Sequence, residues 1–223
     1  MQTIEYAPRR SADVFGPPDS QTVLLWHGMQ TDARAAVRPL AELVADRGFH
    51  VIAPDWNSHA TDGGRADLLA SAHFAADRNN SSDVPGGIVL AGWSLGGLAA
   101  AGLTINADAF GLRILRTICL AGAFTATDPI TGAHLPEQPP ASARPVPFTL
   151  LHGVRDDAVP PAASRDFAAT LERWSWPVES VELDADHGSV AGASYDAAAD
   201  RYVAAHDPAS LAVAAEVAAR ITR

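Results

Sequence analysis

The sequence predicts an α/β protein with a mostly parallel, doubly wound sheet flanked by helices, and three observations carry that expectation. Short apolar runs of strand length recur along the chain, separated by stretches with apolar residues at helical spacing, the alternation that builds parallel sheets. The central runs are apolar throughout rather than at every second residue, as in strands buried on both faces. Finally, Ile88-Val89-Leu90-Ala91 runs through Gly92-Trp93-Ser94-Leu95-Gly96 straight into Gly97-Leu98-Ala99-Ala100-Ala101, so that a strand turns into a helix at a serine.

The elements follow in order. Thr3 to Tyr6 alternates and is followed by Pro8, Pro17 and Pro18, which suits an edge strand or hairpin and then a loop. Thr22 to Trp26 is a central strand opening through His27-Gly28-Met29. Pro39 suits a first helical turn, Leu40, Leu43 and Val44 make one apolar face, and Gly48 ends the helix. His50 to Pro54 is the next strand, leading into Asp55 and Trp56. Asp62 can cap a helix through about Arg78, with Leu68, Leu69, Ala72 and Ala76 on one side, and Asn79 to Gly87 reads as a polar turn. The helix after Ser94 should reach Ile105; Arg116 to Gly122 and Phe148 to Leu151 read as further strands. Pro161 to Trp174 is a helix with Phe167, Leu171 and Trp174 aligned, and Val178 to Leu183 reads as the last strand. Asp207 and Pro208 form an N-cap and first-turn pair for a closing helix. Thr125 to Pro147 holds six prolines and little periodicity, so it is expected to be an irregular surface connection, with a short lid over the site as the alternative.

Size and composition bound the rest. A chain of 223 residues, 48% hydrophobic, suits one domain spanning 1–223 with a sizeable core. The net charge of −10, with every cation an arginine, disfavours nucleic acid and anionic membrane as partners and excludes chemistry that needs a lysine. The lone Cys119 lies in an apolar strand, so no internal disulfide forms and the thiol is a core residue. Neither a signal-peptide pattern nor a membrane-length apolar run is present, which makes a cytoplasmic location the default expectation.

In an open parallel sheet, ligands gather outside the carboxyl ends of the strands. One such end presents Ser94, another His152-Gly153-Val154-Arg155-Asp156-Asp157, and the last Asp184-Ala185-Asp186-His187-Gly188. A serine, an acid and a histidine in that order are the parts of a nucleophile activated by a base that an acid orients. The helix behind Ser94 leaves its first amides unpaired, and the Leu95 N–H is the natural oxyanion donor.

These residues carry a resemblance to the α/β-hydrolase fold family, among its small members without a large cap domain, such as dienelactone-hydrolase-like, carboxylesterase-like and thioesterase-like enzymes. The match spans roughly residues 20–220 and rests on His27-Gly28, Gly92-Trp93-Ser94-Leu95-Gly96, the segment His152 to Pro160, and Asp186-His187-Gly188. The resemblance places the acid on Asp156 rather than Asp157, the base on His187, and the second oxyanion donor on the Met29 N–H. It implies a cofactor-free serine hydrolase that cleaves carboxylic esters of small or medium size through an acyl-enzyme. A thioesterase or acyltransferase on the same three residues, or a non-catalytic binding protein of this fold, is the alternative. The expected partner is a small-molecule ester or thioester. Dienelactone hydrolases proper use cysteine as nucleophile, and the serine at 94 departs from them.

Other candidates have plainer readings. His27 and His152 are expected to structure loops, His59 and His134 to be solvated, and His206 lies farther from the last strand. Asp184, Asp186 and His187 lack further ligands at suitable spacing, so no metal is expected. Trp26, Trp56 and Trp93 fall near strand ends; Trp56, Trp93 and Gln30 are the candidate substrate contacts, with Met29 beside Trp56 on an apolar pocket and Ser58 a further polar candidate.

Overall fold

The computed structural model describes residues 1–80 and 86–223. Eight strands form one sheet: β1 (Gln2–Ala7), β2 (Arg10–Phe15), β3 (Thr22–Trp26), β4 (His50–Pro54), β5 (Ile88–Trp93), β6 (Ile114–Leu120), β7 (Phe148–Gly153) and β8 (Val178–Leu183). Their order is β1-β2-β4-β3-β5-β6-β7-β8; the last six pair in parallel, and the β1–β2 hairpin adds antiparallel to β4 at one edge. Strands β3, β4 and β5 are buried at every position, which is why, after Thr22 and His50, they read as apolar runs, whereas edge strand β8 carries exposed Glu179, Ser180 and Glu182.

Five helices cover the two faces. On one face α1 (Arg38–Ala45) packs against α5 (Pro208–Ile221), where Val37, Leu40 and Val44 meet Val217 and Ile221. The other face carries α2 (Arg65–Asn80), α3 (Leu95–Ile105) and α4 (Ala162–Arg173). Alanine and glycine dominate α3, and every residue after Leu95 is buried, so this helix lies close against the sheet. The caps form as the sequence predicts. Asp62 accepts the amides of Gly64 and Ala66 ahead of α2, and Asp207 accepts that of Ser210 at the start of α5.

Two expectations need correction. Strand β6 begins at Ile114 rather than Arg116 and stops at Leu120, because Ile114 pairs with Ile88 and Ala121 takes φ +46°, which breaks the strand before Gly122. Val178 to Leu183 is also not the last strand. A separate antiparallel hairpin follows, β9 (Ala193–Asp196) and β10 (Arg201–Ala204), with Tyr195 opposite Tyr202. Of the polar turn expected over Asn79 to Gly87, residues 81–85 lie outside the described residues. The 125–147 stretch contains no helix or strand; Asp128 folds back over Gly102 of α3, and Trp174 donates to the Glu137 carbonyl.

Candidate active site

Between β5 and α3 the chain reverses at Ser94, which has φ +57° and ψ −120°, a conformation that L-residues adopt only when their surroundings enforce it. The surroundings here are backbone. A Cβ on Gly92 would lie 2.1 Å from the Gly96 carbonyl oxygen, and one on Gly96 would lie 2.2 Å from that of His27. Only hydrogen fits at either place, so the elbow can close tightly enough to lift the serine clear of the strand. The Ser94 amide donates to the Leu120 carbonyl (2.8 Å), and the Ser94 carbonyl accepts from Gly97, Leu98 and Ala123.

The loop after β7 carries Asp156. Asp156 Oδ1 accepts the amides of Ala158 (2.9 Å) and Val159 (2.8 Å), while Oδ2 accepts from His187 Nδ1 at 2.7 Å and lies 3.2 Å from His152 Nε2. Burial alone would raise the Asp156 pKa, but hydrogen bonds from His152, His187 and the Val159 amide outweigh it and hold the carboxyl well below the usual range. Because an ionised carboxylate only accepts, the His187 proton sits on Nδ1 and the lone pair on Nε2. His187 is 4% exposed. Its carbonyl accepts the indole N–H of Trp93 at 2.7 Å, and the Trp93 and Tyr202 rings lie 5.3 and 5.7 Å from the imidazole.

Ser94 and His187 line one cavity of about 380 Å³, together with Gly28, Met29, Gln30, Trp93, Leu95, Ala123, Ala126 and Val159. The hairpin adds Tyr195, Asp200, Arg201 and Tyr202 to its wall. Neither the Met29 nor the Leu95 amide has an acceptor among the described residues. A polar cleft adjoins the cavity past His187, lined by Arg155, Asp157 and Asp186.

The loop carrying Met29 is fixed from several sides. Buried His27 accepts the amides of Ala33 (3.3 Å) and Trp56 (3.2 Å) at Nε2 and donates from Nδ1 to the Gly28 carbonyl; burial pushes its pKa down to about 4, so the ring is neutral. Arg34 pairs with Asp13 at 3.1 Å and with Asp55, tying the loop to β2 and to the end of β4. Gln30 clasps the hairpin: its Oε1 accepts the Tyr202 amide (2.6 Å) and its Nε2 donates to the Tyr202 carbonyl (3.2 Å).

Among the residues singled out from the sequence, Ser94, His187, Met29, Leu95, Trp93 and Gln30 come together on the cavity, with Asp156 directly behind His187. Trp56 does not join them. It is 0% exposed, stacks on His27 at 5.3 Å and donates its indole N–H to the His27 carbonyl, so its surface is spent on the loop and not on the cavity. Ser58 lines a separate pocket with Asp62 and Asp128. Both polar ends of Gln30 are likewise committed to backbone. Sequence reasoning missed Tyr195, Arg201 and Tyr202; the signal available was the β-favouring Arg201-Tyr202-Val203 beyond the short turn that follows Tyr195. Among the described residues, no group of three or more His, Cys, Asp or Glu is arranged to hold a metal ion, and no helix is long and apolar enough to cross a membrane.

No protein-family model matches the chain, and no curated protein matches it in sequence. Solved structures do. Esterase 2 of Thermogutta terrifontis phosphoramylated by tabun is 18% identical, with a TM-score of 0.70 over 98% of this chain and 92% of that one. The butyrate-bound form of the same esterase gives 18% and 0.68 over 98% and 92%. Its apo form gives 19% and 0.64 over 85% of each chain. These likenesses show the fold: the chain has the α/β-hydrolase fold, and no cap domain interrupts it among the described residues.

Proposed function

We propose that this protein is a serine hydrolase that cleaves carboxylic esters of small or medium size through a covalent acyl-enzyme. The observation that carries the reading is the His187 Nδ1 to Asp156 Oδ2 bond of 2.7 Å, behind an imidazole that shares a cavity with a serine on a strained elbow. In this reading Ser94 Oγ attacks the ester carbonyl carbon and His187 Nε2 takes its proton. Asp156 holds the tautomer and stabilises the imidazolium. The developing oxyanion is received by the amides of Met29 and Leu95, each worth about 2.7–4 kcal/mol of barrier lowering in comparable sites. As the intermediate collapses, His187 returns the proton to the departing alkoxide, and water then repeats the sequence on the acyl-enzyme.

The bound acids named for structures of the Thermogutta esterase, butyrate and propionate, support short acyl chains as the first substrates to try. A fluorophosphonate probe should label the wild type and leave Ser94→Ala unlabelled, and turnover of p-nitrophenyl esters from acetate to octanoate should vanish in the same variant. A folded wild type that neither takes the probe nor hydrolyses any of these esters would overturn the proposal.

A further inference from the structure

Two histidines approach the carboxylate of Asp156, and the serine-hydrolase reading uses only one of them. His152, 1% exposed at the end of β7, has Nδ1 2.7 Å from Ser164 Oγ in the first turn of α4. Its Nε2 lies 2.9 Å from the Val159 carbonyl oxygen and 3.2 Å from Asp156 Oδ2. A carbonyl can only accept, so the His152 proton is on Nε2, bonded to the Val159 carbonyl and facing Asp156 Oδ2 beside it, and Nδ1 accepts a hydrogen bond from the Ser164 hydroxyl. Oδ2 is also the oxygen that His187 Nδ1 uses. A chain of side chains therefore runs from Ser164 through His152 and Asp156 to His187.

A carboxylate oxygen that faces a second N–H, even one bonded mainly to a carbonyl, carries less available charge for its first donor. We infer that His152 is a positioning residue for the hydrolytic reaction: it locks the rotamer of Asp156 and draws charge from Oδ2, so that the carboxylate holds the His187 N–H less strongly than it would if His187 faced it alone. The inference rests on the serine-hydrolase reading for its consequence in catalysis, but the sharing itself can be measured without turnover. The other ionisable groups near His187 are Arg155 and Asp157 on the β7 loop and Asp186 on its own loop. The hairpin adds Tyr195, Asp200, Arg201 and Tyr202. None of these shares a hydrogen bond or ion pair with the His152 side chain.

The test compares His152→Asn with His152→Gln. A glutamine amide reaches the place of the imidazole Nε2 and keeps a donor on Oδ2; an asparagine amide falls one bond short. In histidine-labelled protein, NMR titration should show the His187 pKa raised in the asparagine variant by roughly half a unit or more and close to wild type in the glutamine variant. The acidic limb of kcat/KM should move with it, while a purely structural role would lower stability or kcat and leave that limb in place. An unshifted His187 in folded His152→Asn overturns the inference. Should that variant fail to fold, the wild-type ring decides: nitrogen shifts showing a bare Nε2 on His152 overturn it equally. If no turnover depends on Ser94, the proposed function falls, while the NMR arms still decide whether the carboxylate is shared.

Discussion

Gln30→Leu removes the clasp between the Met29 loop and the β9–β10 hairpin without touching any group assigned to bond making. Two hydrogen bonds disappear, at 2.6 and 3.2 Å, both to the backbone of Tyr202. At a net 0.5–1.5 kcal/mol for a neutral bond, the loss is about 1–3 kcal/mol of stability. For a chain of this size, that is a fall in Tm of about 2–12 °C. The catalytic effect follows from what the clasp positions. Gln30 also donates its own amide to the Gly28 carbonyl at 2.8 Å, so the Met29 peptide is pinned in a tight turn whose outer end is the Gln30 side chain. Outright loss of an oxyanion donor costs about 10²–10³ in kcat. A donor still present but loosened should cost less, roughly ten- to a hundredfold, with KM nearly unchanged because the contact matters in the transition state. Gln30→Glu keeps an acceptor for the Tyr202 amide but sets an oxygen against the Tyr202 carbonyl, and should behave like the leucine variant. Steady-state kinetics on p-nitrophenyl butyrate beside thermal unfolding is sufficient. If Tm falls as expected while kcat stays within about twofold of wild type, His27 and Arg34 alone hold the loop, and the clasp has no part in the proposed oxyanion site.

Three more outcomes are expected. Gly92→Ala puts a methyl 2.1 Å from the Gly96 carbonyl oxygen, so the elbow must open; probe labelling of Ser94 should be abolished or slowed at least tenfold, and normal labelling would refute the steric account. Trp56→Phe loses the bond to the His27 carbonyl and should cost about 1–3 kcal/mol in denaturant unfolding, with KM for every ester unchanged because the ring does not reach the cavity. Acid should act in two steps. His27, with a folded pKa of about 4 against an ordinary 6.5, contributes stability that is whole above 6.5 and lost as pH falls to about 4, on the order of 3 kcal/mol. Asp156 is depressed from 3.8, so its contribution is whole above that value and disappears only at still lower pH. Unfolding free energy measured from pH 7 to 3 should therefore already decline between 6.5 and 4; a flat profile there would contradict a buried neutral His27.

How much was legible in the sequence depended on what each residue answers to. Strands β3, β4 and β5 are buried at every position because both faces are covered, and beyond Thr22 and His50 at their first positions that burial is written into consecutive apolar residues. The elbow is legible for a similar reason: Gly92 and Gly96 face backbone within 2.2 Å, and no other residue type fits. Trp56 and Trp93 illustrate the opposite case. Both sit at or just past a strand end, both are buried, and both donate an indole N–H to a histidine carbonyl, Trp56 to that of His27 and Trp93 to that of His187. Yet Trp93 reaches the cavity wall and Trp56 does not. The residue type is the same at the two sites; what separates them is which way the strand end faces, and that is settled only when the sheet is assembled.

The hairpin shows why the remainder of the site escaped. Its strands are four residues each, lie outside the main sheet and mix polar with apolar side chains, so no periodic signal marks them. Its attachment to the site is through Gln30 side-chain atoms on the Tyr202 backbone and through ring contacts of Tyr202 with Trp93 and His187. A backbone amide and carbonyl are offered by nearly every residue, so the sequence at 202 does not reveal that it is clasped, and the sequence at 30 shows only a polar side chain. The same holds for His152, whose partners are a carbonyl, a hydroxyl and a carboxylate oxygen already in use. Side chains proposed to react are recognisable because the proposed chemistry demands their type. Side chains that hold the reacting ones in place are constrained only by reach, and reach becomes visible only once β3, β5, β7 and the hairpin stand beside one another.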